Sequence, residues 1–216
     1  MSVSTLEDFV KNCRNIYGAA FNYMYPSSDP FKRVEEPELF LKAPTDFITE
    51  GQSIKIPNGF TVIEEVTLGV IIGNICKKVN VEDALDYVGG YCVAFDMTAI
   101  NELQKNISQK VPWTTSKSFD TSCPVSGFIT KEAIPDPNNV ELFATINGKL
   151  QQNGSTSELR FTAAELISFI SQQHTLEPND VILIGTPPVA GTVRAGDAII
   201  GGIKGGVTIK FDVKDD

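Results

Sequence analysis

Histidine is almost absent from this chain, and so are the motifs that most often identify a metal or nucleotide site. His174 is the only histidine in 216 residues, and it lies at the polar end of a predicted helix. The sequence therefore argues against a zinc site with histidine ligands, a Ser-His-Asp triad and a Cys-His pair. The loop "GTPPVAG" lacks the spacing of a phosphate-binding loop. Four cysteines without any C-x-x-C spacing favour reduced thiols inside a cell: Cys13, Cys76, Cys92 and Cys123.

Basic residues are fewer than acidic ones. The chain has 18 Lys and Arg against 27 Asp and Glu, a net charge of −9, which makes nucleic acid and anionic lipid unfavourable partners. No run approaches the roughly 20 apolar residues of a membrane helix. The start, "MSVSTLEDFVKNC", has the features of neither a secretory nor a mitochondrial leader. We expect a cytoplasmic protein, with a mitochondrial one left open if a targeting segment is missing from this sequence.

What the sequence does contain is a series of strand patterns with few helices between them. "NIYGAA", "PELFLKAP", "GGYCVAFDMTA" and "GVTIKFDV" read as strands, and "ELFATINGKLQQ" places Asn147-Gly148 between two strand patterns as a hairpin turn. Thr162 and Glu165 form a capping box for one amphipathic helix. These patterns predict a β-rich α+β fold in a single domain over residues 1–216. Residues 1–14 would hold a short helix, and residues 21–36 a lid-like loop.

The segment "TVIEEVTLGVIIG", Thr61 to Gly73, has the pattern of one long buried strand that begins with two carboxylates. Strand alternation would put Glu65 and Thr67 on one face and Glu64 on the other. A second carboxylate, Asp96, lies in the apolar run "YCVAFDMTA". Because a buried carboxylate is costly alone, Asp96 needs a cation, a base or a helix to cap. Two carboxylates without nitrogen or sulfur ligands would favour Mg²⁺ or Mn²⁺.

Two further readings stay open at this point. Asp96 could instead cap a helix that begins near Thr98. Lys117, in "SKSFDTSCP", could hold an anionic substrate or stabilise an enolate beside the carboxylates, or it could be a surface lysine.

Taken together, the motifs resemble the fumarylacetoacetate hydrolase family, and within it the short branch of acylpyruvate hydrolases and oxaloacetate decarboxylases. The resemblance runs in order from about Asn15 to the C-terminus. It implies a mixed β-sandwich roll, a homodimer, and a site where Mg²⁺ or Mn²⁺ binds a 2-oxo or β-diketo acid. The stretches that carry it are "PELFLKAP", "EEVTLGVIIG", "DALDYVGGYCVAFDMTA", "VPWTTSKSFDTSCPVSGFIT", "INGKLQQNGSTS" and "LISFISQQHTLEPNDVILIGTPPVAG".

The chain departs from the family pattern at several site positions. The family's Glu-x-Glu pair reads Glu65-Val66-Thr67, so a hydroxyl stands where the second metal carboxylate would be. The Arg and Asp that follow the family's Asp-x-Thr-Ala are Ile and Asn here. In the lid motif, Pro26 replaces the histidine that is thought to activate water, while Asp29 keeps the acid three residues on.

The resemblance assigns roles to the residues that remain. Glu65, Asp96 and Thr67 would be the metal ligands. Lys117 and Asp29 would be catalytic, and Thr186 of the "GTP" loop would bind substrate together with Lys117.

Two hypotheses follow. The chain is a divergent divalent-metal-dependent hydrolase or decarboxylase of small 2-oxo acids, with weak or no metal binding if Thr67 does not compensate. Alternatively, it is a catalytically silent member that serves as a small-molecule-binding or dimeric scaffold. Decarboxylation suffers less than hydrolysis from the loss of the lid histidine, because it needs an electron sink more than an activated water.

Overall fold

Strands make up most of the regular structure, as the alternating apolar patterns predict. The structure is a computed structural model and describes residues 8–24 and 35–216. The strands are β1 Ile16–Ala20, β2 Glu38–Lys42, β3 Phe47–Ile48, β4 Ser53–Ile56, β5 Val62–Glu64, β6 Val66–Ile72, β7 Val88–Phe95, β8 Thr98–Ala99, β9 Cys123–Pro124, β10 Glu141–Ile146, β11 Lys149–Ser155, β12 Val181–Leu183, β13 Gly191–Val193, β14 Ala198–Ile203 and β15 Thr208–Asp215.

The helices are short and few in the described part of the chain, so the prediction of a β-rich α+β fold is confirmed. The α-helices are α1 Phe9–Asn12, α2 Ile100–Gln109, α3 Thr114–Lys117 and α4 Ala163–Gln173. The 3₁₀ helices are Pro44–Asp46, Val81–Tyr87 and Thr156–Glu158. None of the helices among these residues is long and apolar enough to cross a membrane.

The strands of the described residues form two five-stranded sheets and two smaller ones. The first large sheet has the order β2-β1-β12-β6-β7, and the second has the order β11-β10-β14-β15-β4. Strand β1 runs parallel to β12 and antiparallel to β2, so the first sheet is mixed. The smaller sheets are β13-β5-β8 and β3-β9. The main apolar core draws residues from both large sheets, among them Leu68 and Phe95 of the first and Leu142 and Phe211 of the second, each fully buried.

The segment from Thr61 to Gly73, predicted as one long strand, contains two strands, so that prediction is wrong. Strand β5 pairs with β13 and β8, whereas β6 pairs with β12 and β7. Glu65 is the residue between β5 and β6. The partner strand breaks at the same level, because residues 96 and 97 separate β7 from β8. Both segments of the chain, β5–β6 and β7–β8, therefore pass from one sheet to the other at the same level.

Two local predictions are confirmed in detail. Asn147 and Gly148, with φ of 52° and 78°, form the turn between β10 and β11, where two consecutive positive φ values suit Asn-Gly. At α4 the Thr162 Oγ1 accepts the Glu165 N–H at 3.3 Å, and the Glu165 carboxylate accepts the Thr162 N–H at 2.7 Å. This is the reciprocal capping box that the sequence predicted.

Candidate active site

A cavity of about 200 Å³ lies where β5–β6 and β7–β8 cross between the sheets. One side of it is apolar, with Phe40, Ile63, Leu103 and Trp113 among its lining residues. The polar side chains that line it include those of Asn22, Glu65, Thr67, Asp96, Thr98, Lys117 and Thr186. The structure thus brings together five residues for which the family resemblance implied a site role: Glu65, Thr67, Asp96, Lys117 and Thr186. A small apolar pocket with a few convergent polar groups is the usual form of a small-molecule site.

The backbone explains why Glu65 and Asp96 meet, although they are 31 positions apart. In the antiparallel pair β6–β7, Val66 lies opposite Phe95, and on the far side of the break Ile63 of β5 lies opposite Thr98 of β8. Within the break, the Asp96 N–H donates to the Glu65 carbonyl at 2.8 Å. The two carboxylates are therefore held side by side at the junction of two sheets. The alternative that Asp96 caps a helix is wrong, because α2 begins at Ile100 and its N-cap residue is Ala99, with no side-chain hydrogen bond at the cap.

The Lys117 ammonium lies between these two carboxylates. Its Nζ donates to Glu65 Oε2 at 2.8 Å, to Asp96 Oδ2 at 2.7 Å and to the Thr98 hydroxyl at 2.6 Å. These bonds use all three of its N–H groups. The Nζ also lies 4.4 Å from the centroid of the Phe40 ring. Lys117 is 5% exposed, so the reading of this residue as a surface lysine is wrong.

A second ammonium, that of Lys42 at the end of β2, contacts the Asp96 carboxylate as well. Its Nζ lies 2.9 Å from Asp96 Oδ1 as an ion pair, and its N–H groups donate to the carbonyls of Met97 and Lys117 and to the Ser122 hydroxyl. The Lys42 side chain has no exposed surface. The cluster of Glu65, Asp96, Lys42 and Lys117 therefore carries two negative and two positive charges.

The pairing determines the protonation states of Asp96 and Lys117. Burial by itself would raise the pKa of Asp96, but the ammonium groups of Lys117 and Lys42 outweigh it and hold the pKa below its ordinary value. Burial would lower the pKa of Lys117, and the carboxylates of Asp96 and Glu65 raise it instead. At neutral pH, Asp96 is thus a carboxylate and Lys117 an ammonium.

Thr67 lines the same cavity but offers little to a cation. It is 1% exposed, and its hydroxyl donates to the Leu68 carbonyl at 3.3 Å. Between residues 8 and 24 and from 35 onward, no three His, Cys, Asp or Glu side chains lie close enough together to hold a metal ion jointly. A divalent cation bound to both Glu65 and Asp96 would also be next to the Lys117 ammonium. The donor set as it stands does not fit the divalent ion that the family resemblance implies.

Thr186 is oriented by a buried glutamine that the sequence did not single out. Gln152 Oε1 accepts the Val66 N–H at 2.8 Å, and its Nε2 donates to the Thr186 hydroxyl oxygen at 2.8 Å and to the Pro187 carbonyl. Since the Thr186 oxygen accepts that bond, its own hydrogen is available to a ligand in the cavity. Gln152, which has no exposed surface, thus joins the start of β6 to the "GTP" loop.

The segment that follows β1 forms another wall of the cavity. The Asn22 amide donates to the carbonyls of Phe161 at 2.9 Å and Ile184 at 2.8 Å, and its oxygen accepts the Phe161 N–H at 2.9 Å. Gly185, with φ of 117°, lies so close that an added Cβ would be 3.0 Å from the Asn22 Cβ. The two lid residues on which the sequence analysis relied, Pro26 and Asp29, lie outside the described residues, so the catalytic role of Asp29 remains a prediction.

Glu64 faces away from the ion cluster, as strand alternation predicts. It is fully buried, and its Oε1 accepts the Gly191 N–H at 3.1 Å, while Oε2 has no hydrogen-bond partner among the described residues. Burial, together with the nearby charge of Glu65, raises the pKa of Glu64 to about 8 in spite of the bond from Gly191. Glu64 is therefore mostly a neutral acid at pH 7.

Replacing Glu64 with glutamine should flatten the dependence of stability on pH. A carboxyl group whose pKa rises from 4.5 in the unfolded chain to about 8 in the folded one contributes stability below pH 4.5 and loses it as the pH rises through 8. At pH 8 the variant should be more stable than the wild type by about 1–3 kcal/mol, and the two should converge at pH 4.5. Urea unfolding across this range measures the difference. Parallel curves for the two proteins would show that Glu64 is ionised in the folded state.

Comparison with known proteins identifies the family. Residues 10–214 match the family model described as fumarylacetoacetate (FAA) hydrolase C-terminal, which is nearly the whole chain. The chain belongs to the fumarylacetoacetate hydrolase family. The resemblance inferred from the motifs is thereby confirmed.

Relatives within the family act on small oxo acids, to judge from their names. The oxaloacetate tautomerase FAHD1, mitochondrial, of Homo sapiens is 44% identical over 184 residues, which is 84% of this chain and 82% of that protein. The oxaloacetate decarboxylase, mitochondrial, of Dictyostelium discoideum is 37% identical over 212 residues, 96% of this chain and 97% of that protein. Both names give a mitochondrial location, whereas the cytoplasmic location expected from the sequence of this chain stays a prediction.

A solved structure of the family shows the same fold with ligands bound. Fumarylpyruvate hydrolase from Pseudomonas aeruginosa, in complex with Mn²⁺ and pyruvate, superposes with a TM-score of 0.86 at 24% identity, covering 94% of this chain and 91% of that one. At that identity the likeness supports the fold of this chain. Within the fold, a divalent ion and a small 2-oxo acid are bound by that relative.

Three residues of the site were missed by the sequence analysis: Lys42, Thr98 and Gln152. For Lys42 a signal was present, since alternation along β2 puts it on the same buried face as Phe40. A lysine on a buried strand face needs a carboxylate partner. Thr98 and Gln152 gave no local signal, because their roles depend on strands that are distant in sequence.

Proposed function

We propose that this protein is an enzyme that interconverts the keto and enol forms of a small 2-oxo diacid of the oxaloacetate type. The observation that carries the proposal is the Lys117 ammonium, which is held 2.8 Å from Glu65 and 2.6 Å from Thr98 on the polar side of a small, mostly apolar cavity. An ammonium in that place would stabilise the negative charge that develops on a carbonyl oxygen during enolisation. Oxaloacetate is the substrate in the names of the two relatives described above.

The proposed reaction moves one proton from carbon to oxygen. The Glu65 carboxylate takes a proton from C3 of the oxo acid, the C–H electron pair forms the C2=C3 double bond, and the carbonyl π pair moves onto the C2 oxygen. Lys117 exchanges its hydrogen bond to the Thr98 hydroxyl for one to that oxygen, donates a proton to it, and regains a proton from Glu65 along their hydrogen bond. The enol leaves, and both side chains are back in their starting states.

Two further groups would hold the substrate for this step. The hydroxyl hydrogen of Thr186 is available for a substrate carboxylate, since Gln152 already donates to its oxygen. The aromatic wall formed by Phe40 and Trp113 would limit access of water. Hydrolysis is less well supported than enolisation, because it needs a general base for water and His174 lies at the exposed C-terminal end of α4. A homodimer, which the family resemblance implies, is part of the proposal.

The divalent ion implied by the resemblance is given no step in this reaction, because the residues do not fit it. The second hypothesis, a catalytically silent binding protein, rests on the same departure at Thr67. The two hypotheses differ in one observable, namely whether the chain speeds enolisation beyond the rate in buffer.

The test compares adjacent glutamates that face opposite sides of the strand. In D₂O, enolisation exchanges the C3 protons of oxaloacetate for deuterium, and NMR can follow this exchange. The exchange rate with wild-type protein should exceed the rate without protein. Glu65→Gln should lower the protein-catalysed rate about 10²–10⁴-fold, the usual contribution of a general base. Glu64→Gln should stay within about threefold of wild type, because Glu64 bonds Gly191 outside the cavity. A wild-type rate equal to that in buffer would refute the proposal and support the silent hypothesis.

A further inference from the structure

We infer that the Lys117 ammonium takes the place between Glu65 and Asp96 that a divalent cation would need, so that this chain assembles its site without a resident metal ion. The inference deepens the proposed function and rests on it only in naming the reacting cavity. It concerns the charge and geometry of this chain's own residues, and it is tested by ion binding.

The balance of charge in the cluster disfavours a divalent cation. The cluster of Glu65, Asp96, Lys42 and Lys117 sums to zero, and Thr67 adds none. A divalent cation would leave this partly to fully buried site with a net charge of +2. Buried charge without a partner is strongly unfavourable, and here the ion would lie beside an ammonium of the same sign.

The carboxylate oxygens that a cation would need already have partners within the protein. Glu65 Oε2 already accepts two short bonds, from Lys117 at 2.8 Å and from Thr98 at 2.5 Å, and Asp96 Oδ2 accepts one from Lys117 at 2.7 Å. The other Asp96 oxygen is paired with Lys42 at 2.9 Å. A cation would have to displace Lys117 from these oxygens, and Lys117 would then lose the partners that offset its burial.

The residue at position 67 determines whether the cavity can bind a divalent cation. Its side chain lines the same cavity of about 200 Å³ as Glu65 and Asp96, so a longer side chain at this position would extend into that cavity. A carboxylate there would change the charge of the cluster from zero to −1 and supply a third oxygen ligand. Mg²⁺ and Mn²⁺ bind oxygen ligands of this kind, and their affinity depends on ligand charge.

The experiment is a calorimetric titration of the full chain with Mn²⁺ alone, for wild type, Thr67→Glu and Thr67→Gln. The glutamine variant has the size of glutamate without its charge. Thr67→Glu should bind Mn²⁺ at least a hundredfold more tightly than wild type, and Thr67→Gln should bind like wild type. A gain of a hundredfold corresponds to about 2.7 kcal/mol. Mn²⁺ should likewise raise the melting temperature of Thr67→Glu and leave that of wild type unchanged.

Two results would overturn the inference. One is wild-type affinity for Mn²⁺ equal to that of a folded Thr67→Glu protein. If Thr67→Glu fails to fold, Lys117→Met replaces it, because this change removes the competing ammonium. Lys117→Met should bind Mn²⁺ at least tenfold more tightly than wild type. An affinity equal to that of wild type is the second result that would refute the inference. Because the titration measures ion binding, a wild type without enolisation activity would refute the proposed function and leave this result standing.

Discussion

Replacing Asp96 with asparagine should lower the free energy of unfolding by about 3–5 kcal/mol, the usual cost of removing one partner from a buried ion pair. Asparagine keeps the shape of the side chain but not its charge. Lys117, held at 2.7 Å, would keep only Glu65 as a counter-charge, and the fully buried Lys42, held at 2.9 Å, would lose its carboxylate. Urea unfolding at pH 7, followed by circular dichroism, measures the loss.

Two comparisons separate this effect from a general one. Asp120→Asn, a change at an exposed aspartate, should alter stability by less than about 0.5 kcal/mol. Adding Lys42→Met to Asp96→Asn should recover part of the loss, because one uncompensated ammonium is removed. A loss below about 1 kcal/mol in Asp96→Asn would mean that the cluster is hydrated in solution.

The same variant has a predictable dependence on pH. The ammonium groups hold the pKa of Asp96 below its ordinary value of 3.8. The stability that Asp96 contributes is therefore fully present above pH 3.8 and is lost as the pH falls through the lower, folded-state pKa. The difference between wild type and Asp96→Asn should be constant near neutrality and should shrink in strong acid.

The second large effect concerns catalysis. Lys117→Met should lower the rate of enolisation by about 10²–10⁴-fold, because methionine fills a similar volume but cannot donate a proton or stabilise an enolate. The loss should fall mainly on kcat, since the charge on the carbonyl oxygen is greatest in the transition state. The deuterium-exchange assay with oxaloacetate, run over a range of substrate concentrations, separates kcat from KM.

Lys105→Met provides the matched control, since this lysine is on α2 with its side chain 56% exposed. It should keep the wild-type rate. The carboxylates of Asp96 and Glu65 raise the pKa of Lys117 above its ordinary value of 10.5. Lys117 therefore stays protonated below pH 10.5, and the wild-type rate should not fall in this range through deprotonation of Lys117. A Lys117→Met protein that is folded and within threefold of the wild-type rate would remove Lys117 from the mechanism.

Local sequence patterns were enough for the elements and for the family. The Asn147-Gly148 turn, the capping box of Thr162 and Glu165, and most strands depend on interactions within a few residues, which the sequence displays directly. The same patterns failed at Glu65. Periodicity continues through that residue without change, whereas the backbone passes from one sheet to another there.

The neighbours of the site residues could not be read from the sequence. Alternation predicted that Glu65 and Thr67 share a face, but the approach of Asp96, Lys117, Lys42 and Thr98 depends on pairing between segments that are far apart in the chain. An apolar strand that contains one aspartate is compatible with a helix cap, a metal ligand or an ion pair. Only the contacts in the tertiary structure, 2.7 Å to Lys117 and 2.9 Å to Lys42, decide among these.

The sequence by itself determined the β-rich fold, the family, and the presence of a hydroxyl at position 67 where the family has a carboxylate. These features are set by local periodicity and by residue identity. The tertiary structure decided what surrounds that hydroxyl, namely two carboxylates already neutralised by two buried ammonium groups. The reason is that charge compensation in a protein interior depends on distances of 3–4 Å across strands, and residue order along one chain does not specify those distances.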